Sequence, residues 1–300
     1  MTFKRSRSRF IFLEWLYEGF LRLIIYPSVW VAAALASLGF YTQVMLGLSH
    51  NWQAITLIFT TALIPYNLDR IFDSYVQKIP DTKAQLFFRK PCIWALLLLA
   101  IAICAVLLYN APIQVRYVSL AGIIPLLYGT PLFPIKRKSQ WQWYRLKDIP
   151  GAKAWIVGTV LTYAVIALPL AYAGAKFDLA AAFTTLFMFV FIVTNSHTFD
   201  IRDLNSDREK GVITLPIAIG VRSTKIVLTA MNLFMLLTIV AGWLANTLTF
   251  RPEIILSVVV NLLYIWIVNV DTPRWAYNIA IEGCLFVPPL TYLVFNYKYF

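Results

Sequence analysis

The sequence predicts an all-helical protein that crosses a membrane nine times. Three observations predict it. The composition is 60% hydrophobic and only 13% charged, with a mean hydropathy of +0.71, which is too apolar for a soluble core. Apolar runs of bilayer-spanning length recur along all 300 residues. Basic residues are confined almost wholly to alternate connections between those runs.

The start, MTFKRSRSRF, is basic, and Glu14 and Glu18 interrupt before the first long run, so residues 1–18 read as a short basic cytoplasmic tail. The first run, 20–46, is too long for a cleaved signal peptide and reads as a retained span. Further runs follow at 52–72, 91–110, 112–133, 152–173, 178–199, 224–246, 252–270 and 275–297. Only Asn110-Ala111-Pro112 separates the third run from the fourth. Pro27, Pro65, Pro125, Pro169, Pro288 and Pro289 lie within runs, where membrane helices tolerate them as kinks.

The basic residues test this topology. With the N-terminus inside, only Arg116, Lys176, Arg251 and Lys298 of the 26 Lys and Arg fall outside. That bias predicts an N-in, C-out integral membrane protein, one membrane domain over 1–300 with no soluble module. The net charge of +12 is split into short clusters between apolar runs, which argues against nucleic acid as a partner. Cys92, Cys104 and Cys284 sit in apolar stretches without metal-ligand or disulfide spacing and read as packing residues.

Two polar segments break the pattern, each after a long apolar run: Tyr66-Asn67-Leu68-Asp69-Arg70-Ile71-Phe72-Asp73 and Asp200-Ile201-Arg202-Asp203-Leu204-Asn205-Ser206-Asp207. Asp69 and Asp73, like Asp203 and Asp207, are four apart, so on a helix each pair shares one face. Carboxylates clustered at the end of a membrane helix need a compensating cation. With few His or Cys nearby, the chemistry favours a hard, oxygen-preferring ion, magnesium or manganese, held together with a polyanionic ligand. Asp69, Asp73, Asp203 and Asp207 are the expected metal ligands, with Asp200 and Asn67 as secondary ligands or as groups that support the ligands. Arg70, Lys136, Arg137 and Arg202 lie on the same side as candidate anion partners. Without bound metal, such carboxylates repel one another, so Asp-to-Asn changes are expected to leave the fold intact or stabilise it.

The stretch from Asp200 to Gly220, D-I-R-D-L-N-S-D-R-E-K-G-V-I-T-L-P-I-A-I-G, resembles the second Asp-rich motif of the UbiA superfamily of intramembrane prenyltransferases. Asp69-Arg70-x-x-Asp73 resembles the later half of that family's first motif, and Tyr128 with the approach to Lys136-Arg137 resembles its basic segment after the fourth helix. Pro65 and Tyr66 stand where the family's first motif opens with Asn and often Asp, and Tyr26 precedes Pro27 where the family often has Arg. The resemblance implies a nine-helix bundle around a central cavity. It also implies a magnesium-bound allylic prenyl diphosphate, ionisation of its C–O bond, and capture of the cation by a lipophilic or aromatic acceptor. Tyr66, Tyr128 and Glu282 are then candidate pocket residues. A UbiA-type terpene cyclase or prenyl diphosphate hydrolase stays open as an alternative, as does a non-enzymatic divalent-cation carrier. His197, one turn before Asp200, is expected to make a structural hydrogen bond or relay a proton. Glu282 is expected to bond Asn278 or another helix, and Trp141, Trp143 and Tyr144 to form an interfacial belt.

Overall fold

The computed structural model describes residues 14, 16–76, 82–128, 133–137, 140–144, 146 and 149–296. The chain is a helical bundle. Its elements, in order, are a π-helical turn Leu21–Ile25, α1 (Val29–Met45), α2 (Trp52–Val76), α3 (Thr82–Phe88), α4 (Pro91–Asn110), α5 (Ile113–Ser119) and α6 (Ile123–Tyr128). The strands β1 (Phe133–Arg137) and β2 (Gln140–Tyr144) follow, then α7 (Lys153–Ala173), α8 (Leu179–Arg202), α9 (Leu204–Glu209), α10 (Leu215–Ile219), α11 (Val221–Leu244) and α12 (Pro252–Ile267). A second π-helical turn Ala276–Ile281, a 3-10 turn Cys284–Phe286 and α13 (Val287–Phe295) complete it.

Each apolar run bracketed from sequence holds helix among the described residues, though the fourth ends in β1 at Phe133 and the eighth leaves the helix after Ile267. Five helical segments are long and apolar enough to cross a membrane among the described residues, or six if the bent pair Leu16–Ile25 and Val29–Met45 is one span. The shortfall from nine has local causes. The polar residues of the first Asp segment occupy the end of α2, a 3-10 turn at Leu120–Gly122 breaks the fourth run, and α12 has only 16 residues. An addition to the helical plan is a small antiparallel hairpin, with Phe133 opposite Tyr144 and Arg137 opposite Gln140. The Gln-Trp-Gln-Trp-Tyr of β2 alternates polar and aromatic residues, the period of a strand. The predicted Trp belt therefore stands on a hairpin.

The first span is bent by 59°. Pro27 has no N–H to continue the helix, and Ser28 adopts a left-handed conformation with φ 58°. Asn67 of α2 holds the break: its Nδ2 donates to Pro27 O at 2.9 Å and to Leu63 O at 2.8 Å.

α8 lies at the centre. Asp178 caps its first turn, accepting from the Ala181 amide at 2.8 Å, which satisfies one of the unpaired N–H groups there. Its buried face runs through Phe187, Phe191, Thr194, His197 and Asp200. α7 packs against it at Gly158, where an added Cβ would collide with the Val193 side chain and lie 3.2 Å from its Cα. Polar residues tie α8 to later helices: Asn232 Nδ2 donates to Thr194 Oγ1 at 2.8 Å, and Asn261 Nδ2 to Asn232 Oδ1 at 3.1 Å. The larger apolar core joins residues of α1, α2, α7, α8, α11 and α12.

Candidate active site

The second Asp segment is built at the end of α8. Asp203 closes that helix, its amide bonding Phe199 O at 3.0 Å, and its own carbonyl accepts from the Asp207 amide at 2.8 Å to start α9. Gly211 (φ 70°) turns the chain after α9 and Gly220 (φ 86°) turns it after α10, conformations costly for other residues. These are the two glycines of the Gly-x-x-Thr-Leu-Pro-x-x-x-Gly stretch, which serves to fold the segment back. The Gly151 amide donates to Ile213 O at 2.6 Å, tying the start of α7 to this turn.

That tie sets Lys153, in the first turn of α7, against the carboxylates. Its Nζ lies 2.7 Å from Asp207 Oδ2 and 3.3 Å from Asp200 Oδ1. Asp200 and Asp207 are almost wholly buried, at 3% and 6% exposure. Asp203 faces elsewhere. Arg202 grips it with two hydrogen bonds, Nε to Oδ1 at 2.9 Å and Nη2 to Oδ2 at 2.7 Å, and Arg274 lies 4.0 Å from Oδ1. Arg202 also donates to Asn278 Oδ1 at 2.8 Å and lies over the Phe199 ring, 4.6 Å from its centroid.

Two aspartates four residues apart thus differ in proton affinity. Burial opposes ionisation of Asp203, but the Arg202 guanidinium, helped by Lys153 and Arg274, outweighs it and holds the carboxyl below its ordinary value. For Asp207, burial prevails over the Lys153 ammonium, and the negative charges of Asp200 and Asp203 push its carboxyl further up. Each described carboxylate of this segment has a cationic partner: Lys153 for Asp200 and Asp207, and Arg202 for Asp203.

The first segment is described in part. Asp69 and Arg70 are half-buried on α2, and Asn67 is fully buried, with both amide protons on backbone carbonyls and Oδ1 without a hydrogen-bond partner. The side chains of Asp73, Tyr128, Lys136 and Arg137 lie outside the described residues. Glu282, 9% exposed, follows the π-helical turn of the last span. Trp30 Nε1 and Asn195 Nδ2 bond the carbonyls of Ile279 and Ile281 there, at 3.1 and 2.8 Å. Arg70 and Arg202 both act electrostatically on Glu282, and Glu282 and Arg70 act on Tyr66. The basic residues of the two Asp segments therefore share one neighbourhood at the last span.

Several residues differ from their sequence expectation. Asn278 bonds Arg202, not Glu282. His197 makes no hydrogen bond through either ring nitrogen. It is wholly buried, edge-on to Trp155 at 4.8 Å, with Nδ1 3.7 Å from Asp200 Oδ2. Lys153 carried no role in the sequence reading, although a lysine opening an apolar run on the side of the Asp segments was visible there.

Among the described residues, no group of three His, Cys, Asp or Glu side chains is placed to hold a metal ion. Asp200 and Asp207 do bracket a single cation position, and two carboxylates completed by water and phosphate oxygens suit magnesium. The donor set therefore fits a divalent ion by chemistry.

The chain matches the model of the UbiA prenyltransferase family over residues 88–276. The match begins after Asp73 and so leaves the first Asp segment outside it. No curated protein matches the chain by sequence. Its backbone is similar to that of a UbiA homologue from Aeropyrum pernix K1 in its apo form, with a TM-score of 0.61, 14% identity, and coverage of 87% of this chain and 98% of that one. It is also similar to a UbiA homologue from Archaeoglobus fulgidus bound to GPP and Mg2+ (0.58, 13%, 91% and 98%) and to a digeranylgeranylglyceryl phosphate synthase structure (0.57, 13%, 93% and 97%). At such identities the likeness establishes the fold.

Proposed function

The chain belongs to the UbiA prenyltransferase family, and from that membership we propose that it moves a prenyl group from an allylic prenyl diphosphate to a lipophilic or aromatic acceptor within the membrane. The observation that carries this reading is the convergence of Asp200 and Asp207 on one cation position, beside Arg202 and Arg274, at the end of the central helix. The Archaeoglobus homologue binds GPP or DMAPP with Mg2+, which supports an allylic diphosphate as donor.

Magnesium at the Asp segments would supply neutralisation of the charge that builds on the departing diphosphate. The chain's own residues have distinct parts. Asp200 and Asp207, with Asp69 and Asp73 from the other segment, would hold the cation, and Asn67 Oδ1, which has no hydrogen-bond partner, is a further candidate oxygen. Asp203 fixes the Arg202 guanidinium, whose remaining field, with Arg70, Lys136 and Arg137, favours the anion. When the donor's C–O bond breaks, the electron pair leaves with diphosphate and the allylic carbon becomes cationic. Apolar walls keep water from it, and an aromatic face such as that of Tyr66 would stabilise it. The acceptor's nucleophilic atom forms the new bond and loses a proton, for which Glu282 is our candidate recipient, with Tyr66 and Tyr128 shaping the pocket. The same reading places the chain as a single domain of nine spans, N-terminus cytoplasmic, with the site opening to the cytoplasmic side.

The test is incubation of purified protein with magnesium, a panel of prenyl diphosphates and candidate acceptors, followed by mass analysis. Prenylated acceptor, lost on chelation and restored by magnesium, is the expected outcome. Cyclic or hydrolysed product from donor alone, with acceptor untouched, would replace transfer with cyclase or hydrolase chemistry.

A further inference from the structure

Besides Arg274, two cations contact the carboxylates of the second Asp segment, and they are held differently. Arg202 is fixed: a planar guanidinium, bidentate to Asp203, bonded to Asn278 and stacked over Phe199. Lys153 touches only Asp207 at 2.7 Å and Asp200 at 3.3 Å among the contacts of the described residues. Its ammonium is a point charge on a flexible stem, and its side chain keeps 24% of its exposure. It also sits in the first turn of α7, where the helix dipole disfavours a cation. The two carboxylates, not the helix, hold it there. They are also the pair that brackets the cation position assigned to metal.

We propose that the Lys153 ammonium is a tethered place-holder for the divalent cation: ammonium and metal compete for Asp200 and Asp207, and Lys153 swings out toward the anionic ligand when metal takes them. A buried carboxylate pair is costly without a counter-charge, so a resident lysine keeps the metal-free site folded. The competition also makes metal occupancy weaker than the carboxylates alone would allow. The inference rests on the metal site of the proposed function but needs no turnover to be tested.

The experiment titrates Mn2+ alone into the full chain in lipid nanodiscs, without donor, and follows binding by electron paramagnetic resonance. Lys153→Gln is expected to bind Mn2+ roughly tenfold more tightly or better, because a unit charge a few ångströms from the ion is removed. Lys153→Arg should bind it no more tightly than the native chain. In parallel, native protein is acetylated with a water-soluble amine reagent and Lys153 is read by peptide mass spectrometry. Labelling of Lys153 should rise at saturating Mg2+, a readout that does not depend on any variant folding. Equal Mn2+ affinity in Lys153→Gln and native protein, no Mn2+ binding in either, or Lys153 labelling unchanged by Mg2+ would overturn the inference. Protein that passes both measurements yet makes no prenylated product keeps the inference and loses the prenyltransferase reading.

Discussion

At the scale of single residues, Asp203 and Asp207 show how position overrides residue type. Asp203 completes a bidentate pair with Arg202, a strong form of hydrogen bond. Asp203→Asn removes the charge and one matched acceptor, so it should destabilise the protein by about 1–3 kcal/mol. Its carboxyl is held below the ordinary value. Its contribution is therefore full above the unfolded-state value of about 3.9 and is lost as pH falls through the lower folded value. Thermal unfolding of native and Asp203→Asn protein in detergent should differ constantly above about pH 4 and converge below it. A gap that persists or widens in acid would contradict the pairing. Asp207→Asn acts on the cation position instead and should lower donor turnover by roughly a hundredfold, read as diphosphate release. Asp178→Asn is the control, since Asn serves as well as Asp at a helix N-cap, and it should leave both folding and turnover near the native level.

Asn67 makes its case at the scale of the element. Spacing alone suggests an oxygen ligand, whereas the structure gives its two amide protons to Pro27 O and Leu63 O. It joins α2 to the break before α1. Asp at this position keeps the oxygen and loses both donors. Asn67→Asp should therefore destabilise the bundle by about 1–3 kcal/mol, because the Pro27 carbonyl loses its donor while Leu63 O keeps its helical bond, measured as a fall in melting temperature in detergent. If the oxygen were the only thing that mattered, the substitution would leave stability unchanged and could tighten metal binding. The broken last span follows the same logic. Its π-helical turn leaves carbonyls that Trp30 and Asn195 satisfy, and π-helical turns of this kind recur at functional sites.

For the whole molecule, the proposed arrangement puts both Asp segments on one side of the membrane. In that arrangement α8 runs across the membrane from Asp178 to the Asp segment, which would put the turn after α11 at 245–251 on the other side. In a chain lacking native cysteines, a Cys placed at Thr247 should react with an impermeant thiol reagent added outside intact cells. A Cys placed at Glu209 should react only after permeabilisation. Reaction of both from outside would break the nine-span, N-in arrangement.

What the sequence determined by itself was the all-helical membrane character, the placement of acidic residues near helix ends and the family. All three follow from local quantities: run length sets whether a segment can cross a bilayer, and Asp-x-x-x-Asp spacing sets a shared face. The β1–β2 hairpin was also legible in the alternation of Gln140–Tyr144, though masked by the surrounding apolar content. The partners were decided by tertiary structure alone. Lys153 meets Asp207 across 54 residues of chain, Asn67 meets Pro27 across 40, and Arg202 meets Asn278 across 76. Hydropathy reports what a segment needs from its solvent and carries no record of which helix will face it. Which carboxylate receives a lysine, which an arginine and which stays open to a metal is fixed only when the helices pack and bring distant charges within a few ångströms.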